Sequence, residues 1–288
     1  MRNLLLSLFL IIATLTQASV VDTLDVYSPS MEKTIAVSVV KPDKMQGASL
    51  AVVYLLHGYG DNNLFGYLSK TDVADYADKM NVIIVIPDGG KSWYFDSPVD
   101  KSSRYETFVA KELVAYVDKN YPTAANRQNR AVTGLSMGGH GALYLAIRHQ
   151  NVFGAAGSMS GGVDFRPFPE KWNIKNVLGV KATHSANWNN NTVISQVPKL
   201  KPGSLGLIID CGTEDFFYEV NCNLHAELTK YGIPHEFTTR PGNHSWTYWR
   251  RSLRDHFLFF NDYFKGETAQ VPFEKQKDKY HFATKYAE

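Results

Sequence analysis

Several things are scarce in this chain, and each scarcity narrows its class. There are two cysteines in 288 residues, Cys211 and Cys222, too few for a disulfide framework. With no C-x-x-C pair and no His/Cys group at ligand spacing, no metal site is expected. Charged residues make up 20% and the formal net charge is +2. The chain therefore lacks both the composition of a disordered protein and the basic surplus of a nucleic-acid binder, and no nucleic-acid partner is expected. No apolar run approaches the roughly 20 residues that span a bilayer. Internal repeats and long linkers are absent too, so residues 19–288 read as a single domain, large enough to bury a sizeable core.

The N-terminal "MRNLLLSLFLIIATLTQAS" places Arg2 ahead of an apolar stretch over residues 4–15, followed by Thr16-Gln17-Ala18. This is the pattern of a secretory signal peptide over residues 1–18, cleaved after Ala18. Ser19 follows the cleavage point, so no lipoprotein signal is read. The mature chain is expected to be secreted or periplasmic, with no membrane attachment after cleavage. An oxidising compartment would permit a Cys211–Cys222 bridge clamping "GTEDFFYEVN"; two buried thiols are the alternative.

The remaining chain alternates between two kinds of pattern. "TIAVSVVKP" alternates as exposed antiparallel edge strands do. "LAVVYLL" and "VIIVIP" are continuously apolar, as strands covered on both faces are, and "KTDVADYADKM" between them has helical spacing. "YETFVAKELVAYVDKNYP" reads as an amphipathic helix and "RAVTG" as the next strand. A helix, "FGAAGSMSG", "LGLIIDCG", a second helix, "HEFTTRPG" and a last helix from Trp246 complete the series. Strands alternating with helices imply a mostly parallel sheet with helices on both faces. Residues 162–203 break the alternation as a long insertion rich in aromatic residues, Pro and Asn, expected to form part of a ligand site or a lid.

Within "RAVTGLSMGGHGALYLAIRH", Gly134-Leu135-Ser136-Met137-Gly138 matches G-x-S-x-G between a strand and a helix. A turn that sharp requires small flanking residues, and it presents Ser136 at a helix N-terminus, where N–H groups favour developing negative charge. A serine hydroxyl needs a base, and the base needs a carboxylate to hold its tautomer. In the chain order Ser, acid, His, His244 in "PGNHSW" is the candidate base. His140 and His149 lie on the elbow helix, while His57 precedes the serine and suits backbone shaping. "LGLIIDCGTEDFFYE" offers Asp210, Glu214 and Asp215: Asp210 lies inside the apolar strand and would need a buried partner, and of the two loop acids Asp215 is chosen, with Glu214 next. The expected oxyanion donors are the backbone N–H groups of Met137 and of Tyr59, in the glycine-bearing loop "LLHGYGDNN". Tyr59, Trp93, Tyr94, Phe165, Phe168, Trp172 and Trp246 are read as aromatic rim residues, about half of them expected in the core. From this set Trp93, Phe165, Trp172 and Trp246 are the candidate substrate contacts.

Together "LLHGYGDN", "IPDGGKSWY", "TGLSMGGHGALYLA", "SGGVDFRPFP", "CGTEDFFYE" and "PGNHSWTYW" resemble, in family order across residues 39–264, the esterase D-like branch of the α/β hydrolases. That branch includes feruloyl and acetylxylan esterases of carbohydrate esterase family 1, tributyrin-type esterases, S-formylglutathione hydrolases and secreted mycolyltransferases. The resemblance implies an α/β-hydrolase fold, a triad of Ser136, Asp215 and His244, oxyanion donors at Tyr59 and Met137, and no metal or organic cofactor. It implies acyl transfer through an ester on Ser136. The signal peptide points to esters met outside the cytoplasm, with feruloyl esters of plant polysaccharides first and acetylxylan or short-chain esters second. A mycolyltransferase-type acyltransferase and a non-catalytic carbohydrate-binding relative are the alternatives.

Overall fold

A computed structural model describes residues 19–267. The signal-peptide reading over residues 1–18 and the C-terminal residues 268–288 lie outside the described residues.

The described residues form one eight-stranded sheet: β1 (Val20–Ser28), β2 (Lys33–Lys41), β3 (Ala51–Leu56), β4 (Val82–Pro87), β5 (Arg130–Leu135), β6 (Ala155–Met159), β7 (Gly206–Gly212) and β8 (Glu236–Arg240), in the order β1-β2-β4-β3-β5-β6-β7-β8. β1 pairs antiparallel with β2, and β2 antiparallel with β4; every pair from β4 to β8 is parallel. The outermost strand β1 keeps alternate residues in solvent, as an edge strand does; "TIAVSVVKP", expected at the exposed edge, instead forms β2, paired on both sides, with Val37, Val39 and Val40 fully buried.

The continuous apolar runs follow from two layers of cover. Along β3, Val52, Tyr54 and Leu56 join a core with Phe108, Leu113, Leu145 and Leu224, while Val53 and Leu55 join a second core with Val73, Ala77, Leu253 and Phe257. Successive side chains point to opposite faces of a strand, so only a strand covered twice can be apolar at every position. The first face carries the helices Met137–Arg148 and Tyr218–Lys230 with the helical stretch begun by Tyr105; the second carries Val73–Met80 and Trp246–Phe264.

The stretch read as one amphipathic α-helix contains a π-helical segment, Phe108–Leu113, between the α-helical Tyr105–Thr107 and Val114–Asn120. A π turn brings residues five apart into line, and Phe108 and Leu113 are both fully buried. The insertion after β6 is a folded cover: it contributes the helices Ile174–Leu178, Ser185–Asn190 and Val193–Gln196 and sinks Phe165 and Trp188 into the core. Cys211 is a buried free thiol on β7 and Cys222 a half-buried one on the neighbouring helix.

Candidate active site

Ser136 stands between β5 and the helix Met137–Arg148 with φ +56° and ψ −115°. A non-glycine residue holds such a backbone only where its surroundings fix it. Here the Ser136 N–H donates to the Met159 carbonyl at 2.9 Å, and the Ser136 carbonyl accepts from Gly162 N–H and His140 N–H, each at 3.1 Å. The spacing of the glycines has a direct cause: a Cβ on Gly138 would lie 2.0 Å from the Leu56 carbonyl oxygen. The helix can therefore press against the end of β3 only with hydrogen at that position.

The loops after β7 and β8 bring the next two groups to the serine. A Cβ on Gly212 would sit 2.1 Å from the Gly242 carbonyl oxygen, so these loops meet backbone to backbone, joined by Glu214 N–H donating to that carbonyl at 3.0 Å. His244 then reaches Asp215 Oδ2 with Nδ1 at 2.8 Å and Ser136 Oγ with Nε2 at 2.9 Å. A carboxylate only accepts, so Nδ1 carries the proton and Nε2 turns its lone pair to the serine hydroxyl. The Asp215 side chain is fully buried. Its other oxygen, Oδ1, accepts from Phe217 N–H at 2.9 Å, which satisfies a charge that would otherwise be costly to bury. The geometry can draw a proton from Ser136 Oγ and stabilise the resulting imidazolium.

The other two acids lie elsewhere. Glu214 is exposed. Asp210 accepts from His256 Nε2 at 2.8 Å and from Ser252 Oγ at 2.6 Å, and His256 Nδ1 in turn meets Thr133 Oγ1 at 2.8 Å. This Thr133–His256–Asp210 set repeats the bonding order of the Ser136 set, but all three groups are buried.

Met137 is the first residue of its helix, so its N–H has no intrahelical acceptor and is free to point at a ligand. Tyr59 lies in the loop after β3, and His57 shapes that loop as the sequence suggested. Its Nδ1–H donates to the Gly58 carbonyl at 2.8 Å, its Nε2 accepts from Gly89 N–H at 2.8 Å, and Tyr94 Oη donates to its carbonyl at 3.2 Å. With Nε2 occupied as an acceptor, the 3.4 Å approach of Asp88 is not an ion pair.

The aromatic rim divides. Trp93 (1% exposed), Phe165 (0%) and Tyr94 (0%) are core residues, which corrects the placement of Trp93 and Phe165 on the rim. Their bulk instead builds a box around His140, with ring centroids 5.6 Å (Trp93), 5.0 Å (Phe95), 5.4 Å (Tyr144) and 5.3 Å (Phe165) away. Burial there pushes the His140 imidazole down to about 3. Trp172 and Trp246 are half-buried. Trp246 packs on Trp249, whose ring meets His244 edge-on at 4.8 Å. Trp172 stacks on Phe216, which lies 4.2 Å from the His244 ring and is 49% exposed. Sequence reasoning passed over Phe216, although it directly follows the chosen acid. A cleft of about 700 Å³ between Glu106, Arg148, His149 and Lys199 is lined by none of the Ser136, His244 or Asp215 groups. Among the described residues no group of three or more His, Cys, Asp or Glu could hold a metal ion, and no helix is long and apolar enough to cross a membrane.

The Esterase family model, described as "Putative esterase", matches residues 28–260. An acetyl esterase of Caldicellulosiruptor saccharolyticus is 24% identical over 80% of this chain and 94% of its own. The diacylglycerol acyltransferase/mycolyltransferase Ag85B of Mycolicibacterium smegmatis is 28% identical over 81% and 82%. Among solved structures, a ferulic acid esterase superposes with a TM-score of 0.73 at 28% identity, covering 86% of this chain and 99% of the other. With the sheet order above, the fold is that of the α/β hydrolases, and the expectation of an esterase D-like chain holds.

Proposed function

The chain belongs to this esterase family, and on that premise we propose that it is a secreted serine carboxylesterase hydrolysing ester side groups of plant polysaccharides, feruloyl esters first. Ser136 is the nucleophile, His244 the base and Asp215 its orienting carboxylate. The observation that carries the reading is the continuous relay at the carboxyl ends of the strands: Ser136 Oγ to His244 Nε2 at 2.9 Å and His244 Nδ1 to Asp215 Oδ2 at 2.8 Å.

In this mechanism Ser136 Oγ attacks the ester carbonyl while His244 Nε2 takes its proton. The oxygen that becomes negative is received by the N–H groups of Met137 and Tyr59. Collapse expels the alcohol, which leaves with the proton from His244, and an acyl ester remains on Ser136. Water then enters, gives its proton to His244 and releases the acid. Asp215 stays ionised and stabilises the imidazolium. The half-exposed Phe216 beside His244, with Trp172 behind it, supports an aromatic acyl group; the similarity to a ferulic acid esterase supports it further, and that to an acetyl esterase favours the smaller acyl group.

Hydrolysis of p-nitrophenyl acetate by wild type and Ser136→Ala tests the mechanism, with a loss of at least about three orders of magnitude expected. Equal rates would refute it. Methyl ferulate against acetylated xylan tests the substrate: turnover of short aliphatic esters with neither of these refutes the polysaccharide assignment. Adding a sugar acceptor separates hydrolysis from acyl transfer, since a transferase would yield a sugar ester in place of the free acid.

A further inference from the structure

Trp172 and Asn173 both hold left-handed backbone, each at φ +50°. Two successive non-glycine residues in this region are strained and persist only where neighbours over-determine them. The neighbours here are specific. Trp93 Nε1 donates to the Trp172 carbonyl at 3.4 Å, and the Trp172 ring packs on Trp93, Phe168 and Phe217.

The two side chains of this turn reach different parts of the site. The Trp172 indole stacks on Phe216 at 5.5 Å and 25°, and Phe216 lies on the His244 imidazole at 4.2 Å and 37°. Asn173 Nδ2 donates to Tyr59 Oη at 2.8 Å. Tyr59 and His244 belong to the loops after β3 and β8, and the insertion follows β6, which in the sheet lies two strands from each. A segment leaving the middle strand can span both, and this one does so with adjacent residues.

We propose that the Trp172–Asn173 turn is a positioning element that couples the oxyanion loop to the histidine, holding Tyr59 through the Asn173 amide and the plane of His244 through Phe216. The proposal rests on the esterase reading above. An insertion that only bound substrate would act on KM and would discriminate between acyl groups. An insertion that positions the two loops acts on kcat, and does so equally for every acyl group.

The experiment is steady-state kinetics on p-nitrophenyl acetate and p-nitrophenyl butyrate for Asn173→Gly, Tyr59→Phe, their double variant, Asn173→Asp, Trp172→Ala and Ser136→Ala. Glycine accepts the left-handed backbone without strain, so Asn173→Gly removes the amide while leaving the turn. Tyr59→Phe keeps the backbone N–H and removes only the hydroxyl. Each single change is expected to lower kcat about tenfold on both esters at nearly constant KM, a fraction of the loss that misplacement by about 1 Å can cause. The double variant should be no slower than either single, since both break one bond. Asn173→Asp should recover kcat, because its carboxylate can accept a hydrogen bond donated by the Tyr59 hydroxyl. Trp172→Ala should lower kcat equally on both esters. Wild-type kcat in both Asn173→Gly and Tyr59→Phe, multiplying losses in the double variant, or a KM effect that differs between acetate and butyrate would each overturn the coupling. An inactive Ser136→Ala alongside those results leaves the esterase reading standing and removes only this inference; an active Ser136→Ala overturns both.

Discussion

His140 offers the sharpest test of the energetics. The imidazole is 0% exposed inside the box of Trp93, Phe95, Tyr144 and Phe165; neither ring nitrogen has a partner in good hydrogen-bond geometry, and the Gly162 backbone nearby, which favours the charged form, does not offset the burial. Burial places its folded-state value at about 3, against about 6.5 for a free histidine in the unfolded chain. The folded value is depressed, so between these two values the unfolded chain binds a proton that the native protein does not. Stability therefore falls as pH drops below about 6.5, and continues to fall toward pH 3. Each unit corresponds to about 1.4 kcal/mol, which makes the penalty about 2 kcal/mol at pH 5. The leucine of His140→Leu cannot titrate. The assay is urea unfolding of wild type and His140→Leu at pH 8 and pH 5, comparing the difference between the two proteins at each pH so that every other titrating group cancels. The variant should gain about 2 kcal/mol on wild type between pH 8 and pH 5, whatever the offset from packing at pH 8. A difference independent of pH would refute the reasoning, because it would mean the native protein protonates His140 as readily as the unfolded chain does.

Other outcomes follow from the same geometry. Gly138→Ala would place a methyl carbon 2.0 Å from the Leu56 carbonyl oxygen; the elbow must distort, lowering stability by about 3 kcal/mol or more, read as a drop in Tm. Asp215→Asn keeps the shape but permits the wrong imidazole tautomer, so kcat should fall by about four orders of magnitude while the thermal melt changes little. Asp210→Ala strips the buried His256 and Ser252 of a shared partner and should cost about 3–5 kcal/mol in urea unfolding; a cost below about 1 kcal/mol would show that the Thr133–His256–Asp210 set carries little of the stability. If residues 1–18 are a cleaved leader, N-terminal sequencing of the protein recovered outside the cytoplasm should begin at Ser19; recovery only in the cytoplasm with Met1 intact would refute that reading.

Much of the architecture was legible because it depends on local period. Strands apolar at every position, such as "LAVVYLL" and "VIIVIP", already required cover on both faces, whereas the period of "TIAVSVVKP" did not reveal that β2 lies inside the sheet behind β1, because the sequence does not say which strand pairs outside it. The glycines around Ser136 required a turn too tight for side chains. The chain order of serine, acid and histidine narrowed the remaining partners to a few residues, since each had to follow a strand at the same end of the sheet.

Other features depend on contacts between segments distant in the chain. Asp210, Glu214 and Asp215 lie within six residues, and their local sequence does not say which turns to His244. Parallel pairing of β7 with β8, with Gly212 opposite Arg240, and the backbone contact of Gly212 with Gly242 aim Asp215 at the imidazole. The same packing gives Asp210 to His256 across 46 residues and leaves Glu214 in solvent. Aromatic residues near a strand end look alike in sequence whether they line a cleft or fill a core. The volume beside the elbow helix decided that Trp93 and Phe165 close around His140, while Phe216 and Trp172 stand next to His244. Sequence by itself determined the fold class and the serine turn, because both are written in the spacing of neighbouring residues. Tertiary structure alone decided which carboxylate and which rings face the histidine, because loop direction is set by what packs beneath the loop.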